Sequence, residues 1–368
     1  MTTRRVPFFP YAQLFLAEEK ALTNVMQDVL RRGAYILQKD CREFEQNLAK
    51  FLGVKHALGV ANCTDGLHIA LRAADIGSGD EVILPSHTFV ATASAVHYAG
   101  ATPVLADCGP DHLMDPASVA KLVTPKTKAI MPVQLNGRTC RMDDLQAIAD
   151  KHKLTIIEDA AQSLGAKYKG KMAGSFGLAA AYSFYPAKNL GCFGDGGAVV
   201  TNDDDIAHKL YCMRDHGRNH DGVVEMWGIN TRLDNLQAAV LNYRLAGYEN
   251  IIAHRRNIAT WYHERLHGLS KLTLPPSPEK DVYFDVYQNY EIEAENRDQL
   301  KVYLKEHGVD TLVQWGGKAI HQLDALGLSS NLPQTEKLFT RCLMLPLNMA
   351  VTEDDVEYIS GLIRKFYP

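Results

Sequence analysis

The segment Tyr182-Ser183-Phe184-Tyr185-Pro186-Ala187-Lys188-Asn189-Leu190-Gly191 continues to Gly196-Gly197, and Lys188 is its one charged residue between Lys171 and Asp195. Most lysines stand in water. A lysine set after an apolar strand pattern and before a glycine-rich turn loses solvent, and desolvation lowers an amine's pKa. The neutral amine attacks aldehydes, so Lys188 reads as a Schiff-base nucleophile. Upstream, the run LTIIED places Glu158 and Asp159 at the carboxyl end of an apolar strand, where parallel sheets gather their ligands. One of the two acids points inward. Alone, such an acid is more often a cap or turn former.

The pair says more than either member. Pyridoxal phosphate chemistry needs a lysine on the aldehyde and a carboxylate on the pyridine nitrogen, because the protonated ring is the electron sink. Gln162, one helical turn after Asp159, is placed to reach the ring hydroxyl. The turn Asn62-Cys63-Thr64-Asp65-Gly66 joins the strand pattern HALGVA to a helix. Its backbone N–H groups and the Thr64 hydroxyl would face an anion at the helix start, although the same residues also make a plain cap.

Three motifs carry a resemblance: ED-A-A-Q-S-L-G-A, then S-F-Y-P-A-K-N-L-G-C-F-G-D-G-G, then G-I-N-T-R-L-D-N-L-Q-A-A. In this order, and across nearly the whole chain, they resemble the DegT/DnrJ/EryC1/StrS family, fold type I pyridoxal phosphate enzymes that are chiefly sugar aminotransferases. The resemblance implies that Lys188 bonds the cofactor aldehyde, Asp159 pairs with the pyridine nitrogen and Gln162 contacts the ring. It puts phosphate contacts at Thr64 and Asp65 and at Ser183, a stacking aromatic at Phe89, and Asn230 across a dimer interface on the neighbour's phosphate. A homodimer with shared active sites follows, with Arg232 beside the same site. Cys63 stands where the family more often has Gly. The implied reaction is transamination from glutamate to a nucleotide-linked keto sugar through the pyridoxamine phosphate form. A ketocyclitol or other ring ketone is the alternative acceptor, and a lyase or dehydratase is an alternative on the same fold. Dehydratases of the family carry His in place of the lysine, which Lys188 argues against, and the intact Lys188–Asp159 pair also speaks against a non-enzymatic sensor.

On the acceptor side, relatives carry Tyr-Pro near a His-x-Gln, and this chain has Gln314-Trp315-Gly316-Gly317 before His321. Two glycines permit a positive-φ turn that Tyr-Pro forbids. Trp315 offers a flat face to a sugar or base, and Lys318 and His321 offer donors to a diphosphate.

The elements that must hold these residues follow from pattern. From residue 56 to about 215, apolar strands alternate with amphipathic helices, as in βαβ units on a parallel sheet. The expected fold is α/β, fold type I aminotransferase-like: a mostly parallel sheet in a large cofactor-binding domain, residues 1–245, and a smaller C-terminal α/β domain, residues 246–368. The helical pattern after Thr231 breaks near Gly247, and Val282–Ile292 reads as an aromatic-rich strand. The glycines around Asp195 precede a strand, so they do not open a dinucleotide-binding helix. The chain has 368 residues, 46% hydrophobic and 22% charged, with a formal charge of −4, so nothing calls for a nucleic-acid partner. Seven scattered cysteines form no C-x-x-C pair, which implies neither disulfide framework nor metal site. The charge-free stretch Val82–Ala106 is broken by prolines and histidines, and the N-terminus lacks an apolar signal region, so a cytoplasmic protein away from membranes is expected.

Overall fold

The structure, a computed structural model, describes residues 4–279 and 281–367. Helices α1 (Tyr11–Arg32) and α2 (Lys39–Leu52) lead into β1 (His56–Val60), α3 (Cys63–Ala73), β2 (Glu81–Pro85), α4 (Val90–Tyr98), β3 (Thr102–Ala106), α5 (Pro116–Leu122), β4 (Thr127–Ile130), α6 (Met142–His152) and β5 (Thr155–Asp159). A ribbon, β6 (Lys167–Tyr168) and β7 (Lys171–Met172), precedes β8 (Ala179–Ser183), β9 (Gly197–Thr201) and α7 (Asp204–Met213). The helical pattern after Thr231 is two helices, α8 (Asn235–Leu245) and α9 (Tyr248–Leu266), parted at Gly247 as expected. The chain ends with β10 (Leu272–Thr273), β11 (Tyr283–Phe284), β12 (Tyr290–Ala294), α10 (Arg297–Glu306), α11 (Pro333–Arg341), β13 (Cys342–Leu345) and α12 (Glu353–Phe366).

Seven strands form the main sheet in the order β1-β9-β8-β5-β4-β2-β3, and β9 alone runs antiparallel to its neighbours. The mostly parallel sheet expected from the sequence is therefore present. Its strands read as continuous apolar runs because helices cover both faces. Leu67, Val96 and Leu210 from α3, α4 and α7 pack on one face. Phe44, Leu48 and Leu241 from α2 and α8 pack on the other. The carboxyl ends of β1, β2, β5 and β8 open toward one edge, where the turns after Val60, Pro85, Asp159 and Ser183 meet. The run AIMPV contributes a strand only to Ile130, since Pro132 has no N–H for a ladder; Val133 rejoins through a bridge to Asp159.

The C-terminal part is a second α/β layer, an antiparallel sheet β10-β12-β13 packed on α9, α10 and α12 around Tyr262, Leu300 and Ile359. Val6 bridges Val309 and is buried in this second core, so the start of the chain packs with residues read from the sequence as the C-terminal part. The expected strand Val282–Ile292 is split. Tyr283 and Phe284 join the β6–β7 ribbon, Tyr287 takes a left-handed conformation at φ 47°, and β12 begins only at Tyr290. Among the described residues no helix is long and apolar enough to cross a membrane.

Ion pairs join the two parts. His112, in the loop after β3, sits 3.3 Å from Glu291 and 3.2 Å from Glu293 on β12. Burial works against the imidazolium, but hydrogen bonds to both carboxylates raise the His112 pKa to about 9. A histidine pKa raised by folding stabilises the fold fully below its unfolded value, and that stabilisation is lost as pH climbs through the folded value. The unfolding midpoint should therefore fall between about pH 7 and pH 9. Thermal melts across that window should show a flatter fall for His112→Gln, and identical slopes would refute the coupling.

Candidate active site

The turn after β8 is built by its own backbone: the Lys188 N–H donates to Tyr185 O at 2.8 Å, and the Cys192 N–H returns to Phe184 O at 2.8 Å. Lys188 is largely withdrawn from solvent, and its Nζ has no ion-pair partner among the described residues. Burial lowers its pKa, against the pull of Cys63 and Asp159 nearby. Asp159 ends β5 and is 5% exposed. Its Oδ2 accepts from the Thr92 hydroxyl at 2.7 Å, and its Oδ1 from the Ala161 N–H at 3.1 Å, with the Cys63 thiol at 3.9 Å. Burial raises the Asp159 pKa, while these donors and Lys188 pull it back.

Glu158 and Asp159 are both buried and face opposite sides of the sheet, as adjacent strand residues must. Glu158 accepts from Gln134 Nε2 and from the N–H groups of Gly174, Phe176 and Gly177, at 2.7 to 3.0 Å. Four donors on one carboxylate make Glu158 the anchor of the 174–177 turn. The inward acid of the pair, the one near Lys188, is Asp159.

At the start of α3, Asn62 is the cap, its side chain accepting from the Asp65 N–H at 2.8 Å and donating to the Asp65 carboxylate at 3.1 Å. Asp65 is thus engaged in the cap. Thr64 occupies the first turn, and the N–H groups of Cys63 and Thr64 have no protein acceptor among the described residues. Ser183, at the end of β8, accepts from the Tyr185 N–H at 3.3 Å. Gln162 Oε1 accepts from the Asn136 N–H at 2.8 Å and from Asn289 Nδ2 at 3.3 Å, which leaves its NH₂ group free to face the cleft. Gln162, Ser183 and Lys188 line one small recess with Gln288, and a cavity of about 300 Å³ lies on the other side of Lys188, walled by Phe9, Tyr11 and Asn348. Phe89 caps α4 one turn before Thr92, and the residue is 54% exposed, not the core packing open to a phenylalanine there.

The remaining candidates lie apart from this cluster. Asn230 is exposed at the base of a hairpin that bridges Asp215, and Arg232 pairs with Asp215 at 2.9 Å. The hairpin shows bare apolar residues, Val223, Val224 and a Trp227 that is 97% exposed. Trp315, Gly316 and Gly317 all adopt positive φ, the turn anticipated from the two glycines. The Trp315 ring is packed against His87 and Phe339. His321 is held by Ser86, Nδ1 to Oγ 2.7 Å, with Glu336 3.6 Å from Nε2, while Lys318 is exposed. Of the three acceptor-side residues, Lys318 alone is exposed, while His321 Nε2 is buried without a hydrogen bond. The sequence reading missed Thr92, Gln288 and Asn289. Thr92 carried a local signal, its spacing of one helical turn from Thr88, whose hydroxyl it meets at 2.8 Å.

A model of the DegT/DnrJ/EryC1/StrS aminotransferase family matches residues 17–364. The chain is 40% identical to a dTDP-3-amino-3,4,6-trideoxy-alpha-D-glucose transaminase of Streptomyces venezuelae, over 99% of this chain and 97% of that one. It is 39% identical to a pleiotropic regulatory protein of Geobacillus stearothermophilus, over 98% of each. Among solved structures it is similar to S. venezuelae DesV in complex with a ketimine intermediate, with a TM-score of 0.95, 38% identity and 99% of both chains covered.

Gly197 opens β9 directly against the α3 turn. A Cβ there would lie 2.6 Å from the Asn62 carbonyl carbon and 2.8 Å from the Cys63 nitrogen, both rigid backbone atoms. Gly197→Ala should lower the unfolding free energy by about 1–3 kcal/mol, the usual range for overpacking. Denaturant titration measures this, and wild-type stability in the variant would show that the turn yields freely.

Proposed function

The chain belongs to the DegT/DnrJ/EryC1/StrS aminotransferase family, and from that premise we propose that it is a pyridoxal phosphate-dependent transaminase moving an amino group from glutamate to a nucleotide-linked keto sugar. The observation that carries the reading is the opposition of Lys188 and Asp159 in one desolvated cleft. The S. venezuelae transaminase, named for a 3-amino sugar, favours amination at carbon 3.

The donor set fits the cofactor. A buried carboxylate of raised pKa calls for a cationic partner, which a protonated pyridine nitrogen provides. Unpaired N–H groups at the start of α3 call for an anion, and the phosphate provides that, with the Thr64 and Ser183 hydroxyls as further donors. Gln162 has its oxygen occupied and its NH₂ group left for the ring hydroxyl. The exposed Phe89 ring offers a stacking face. When bound, pyridoxal phosphate supplies the electron sink that stabilises charge at the carbon bearing the amine. Asp159 would hold the proton on the pyridine nitrogen. Lys188, whose pKa burial lowers, would be the residue that holds the cofactor aldehyde, and its Nζ would carry the proton between the substrate α-carbon and the other side of the transfer. Lys318, free at the Trp315–Gly317 turn, is the donor assigned to the diphosphate, and the packed Trp315 and the Ser86-held His321 shape the turn beneath it.

A homodimer is part of the proposal. The apolar hairpin of Val223, Val224 and Trp227 is what a second copy would cover, and Asn230 at its base would then reach the partner's phosphate site. The seven cysteines are all unpaired, in keeping with a cytoplasmic home.

Measuring the two half-reactions separately tests the assignments. Lys188→Ala should lose the visible band of the bound cofactor and slow the glutamate half-reaction by about 10²–10⁴-fold, the range of a general acid–base. Asp159→Asn should slow it by about tenfold to a hundredfold, the kinetic equivalent of a charge-assisted hydrogen bond worth about 1.5–3 kcal/mol. Lys318→Ala should raise KM for the nucleotide sugar and leave the glutamate step unchanged. Normal turnover in Lys188→Ala would sink the mechanism. For the shared site, mixing Lys188→Ala with Asn230→Ala chains should restore activity, since one pocket of each hybrid dimer would carry both residues; demonstrably mixed dimers without activity would refute it.

A further inference from the structure

The segment between β11 and β12 makes no ladder of its own, yet it is tightly held. The Val286 N–H donates to Gly137 O at 2.9 Å. Gly137, at φ 89°, lets the chain pass so close that a Cβ there would lie 2.6 Å from the nitrogens of both Tyr287 and Gln288. From α9, the buried Arg255 donates to Tyr287 O at 2.8 Å, to Gln288 O at 2.7 Å and to Leu347 O at 3.0 Å. No acid pairs with Arg255 among the described residues, and its three hydrogen bonds all go to backbone carbonyls. A bulky residue at positive φ, Tyr287 at 47°, is retained at the centre of this clamp.

The clamp presents two amides to the cleft. Gln288, 7% exposed, donates from Nε2 to Ala187 O at 2.8 Å and accepts at Oε1 from the Asn189 N–H at 2.9 Å. These are the peptide groups on either side of Lys188. Asn189 adds a bond of its own, Nδ2 to Val286 O at 3.2 Å. The next residue, Asn289, donates to Gln162 Oε1. Two consecutive side chains from the C-terminal part thus hold one lysine by its flanks and one glutamine by its oxygen.

We propose that Gln288 is the positioning residue for Lys188, fixing the backbone from which the lysine arm swings while leaving its amine free. This rests on the reading of Lys188 as the cofactor-bonding lysine. A lysine on its flexible stem must reach the aldehyde and then, released, serve the substrate proton. Its own length supplies the swing, so accuracy has to come from where the stem is rooted. The amide satisfies a carbonyl with its NH₂ and an N–H with its oxygen. A carboxylate at 288 would lose the donor and set an oxygen against Ala187 O.

The experiment uses the cofactor-loaded enzyme and two variants of near-native shape, Gln288→Met, which keeps length without hydrogen bonds, and Gln288→Glu. Each should slow the glutamate half-reaction by about 10–100-fold, since a displacement of about 1 Å costs about 10²-fold. KM for glutamate should stay within about twofold, because uniform binding is untouched. Regain of the visible band when pyridoxal phosphate is added to stripped enzyme should slow in parallel. The discriminating arm is the Lys188→Ala background, where added methylamine replaces the missing amine. There Gln288→Met should leave the rescued rate unchanged, because no lysine remains to be positioned. An equal loss of the rescued rate would show a general structural role and overturn the proposal, as would wild-type rates in both single variants. If Lys188→Ala itself kept the band and normal turnover, the reading of Lys188 would fail first, a result distinct from failure at Gln288.

Discussion

Burial imposes opposite demands on the two groups at the centre of this protein. Withdrawal from water pushes the Lys188 amine toward neutrality and the Asp159 carboxyl toward protonation. Loss of charge suits an amine that is to act as a nucleophile, but it would deprive the carboxyl of its hold on a cationic partner. The surrounding fold keeps the lysine desolvated and furnishes the aspartate with donors. The parallel sheet brings β5 and β8 side by side, so the chain ends of both strands deliver their residues to one edge. The helix start after β1 adds N–H groups to the same edge.

Much of this was legible because it is local. The isolation of Lys188, the apolar run ending in Glu158-Asp159 and the cap-like Asn62–Gly66 turn each lie within a few residues, and the strands carrying them read as unbroken apolar runs. The break at Gly247 was equally local. What escaped depends on contacts across long stretches of chain. Gln288 and Asn289 meet Lys188's neighbours and Gln162 from another part of the fold, and nothing in their own surroundings marks them. The split of the expected strand at 282–292 has the same origin: Arg255 takes the carbonyls of Tyr287 and Gln288 that a ladder would have used, so the aromatic pattern alone could not reveal the interruption. On the acceptor side, the glycines foretold the positive-φ turn, but not that Trp315 would spend its ring on His87 and Phe339.

The C-terminal part is therefore more than a cover for the sheet. His112 with Glu291 and Glu293, and Arg138 with Asp285, tie it to the large layer by charge, while Gly137 and Arg255 tie it by backbone. Any movement between the two parts would be transmitted to residues 287–289 and from there to the flanks of Lys188. A rigid join suits the proposed function, in which one lysine would serve two successive roles from one root.

The donors on Asp159 complete the argument about charge. In the function proposed here, Asp159 has to hold a proton on the pyridine nitrogen without taking it, and burial favours its taking it. Every hydrogen bond made to the ionised carboxylate lowers its proton affinity. The Thr92 hydroxyl and the Ala161 N–H do so at full strength, with Thr92 oriented in turn by Thr88. Cys63 adds a weaker contribution. Its thiol is buried, and its pKa lies well above the usual value through desolvation and the nearby carboxylate, so it stays protonated and faces Asp159 Oδ1 as a neutral donor. At the first residue of α3, this chain thus has one more group weakening the carboxylate's hold on the proton.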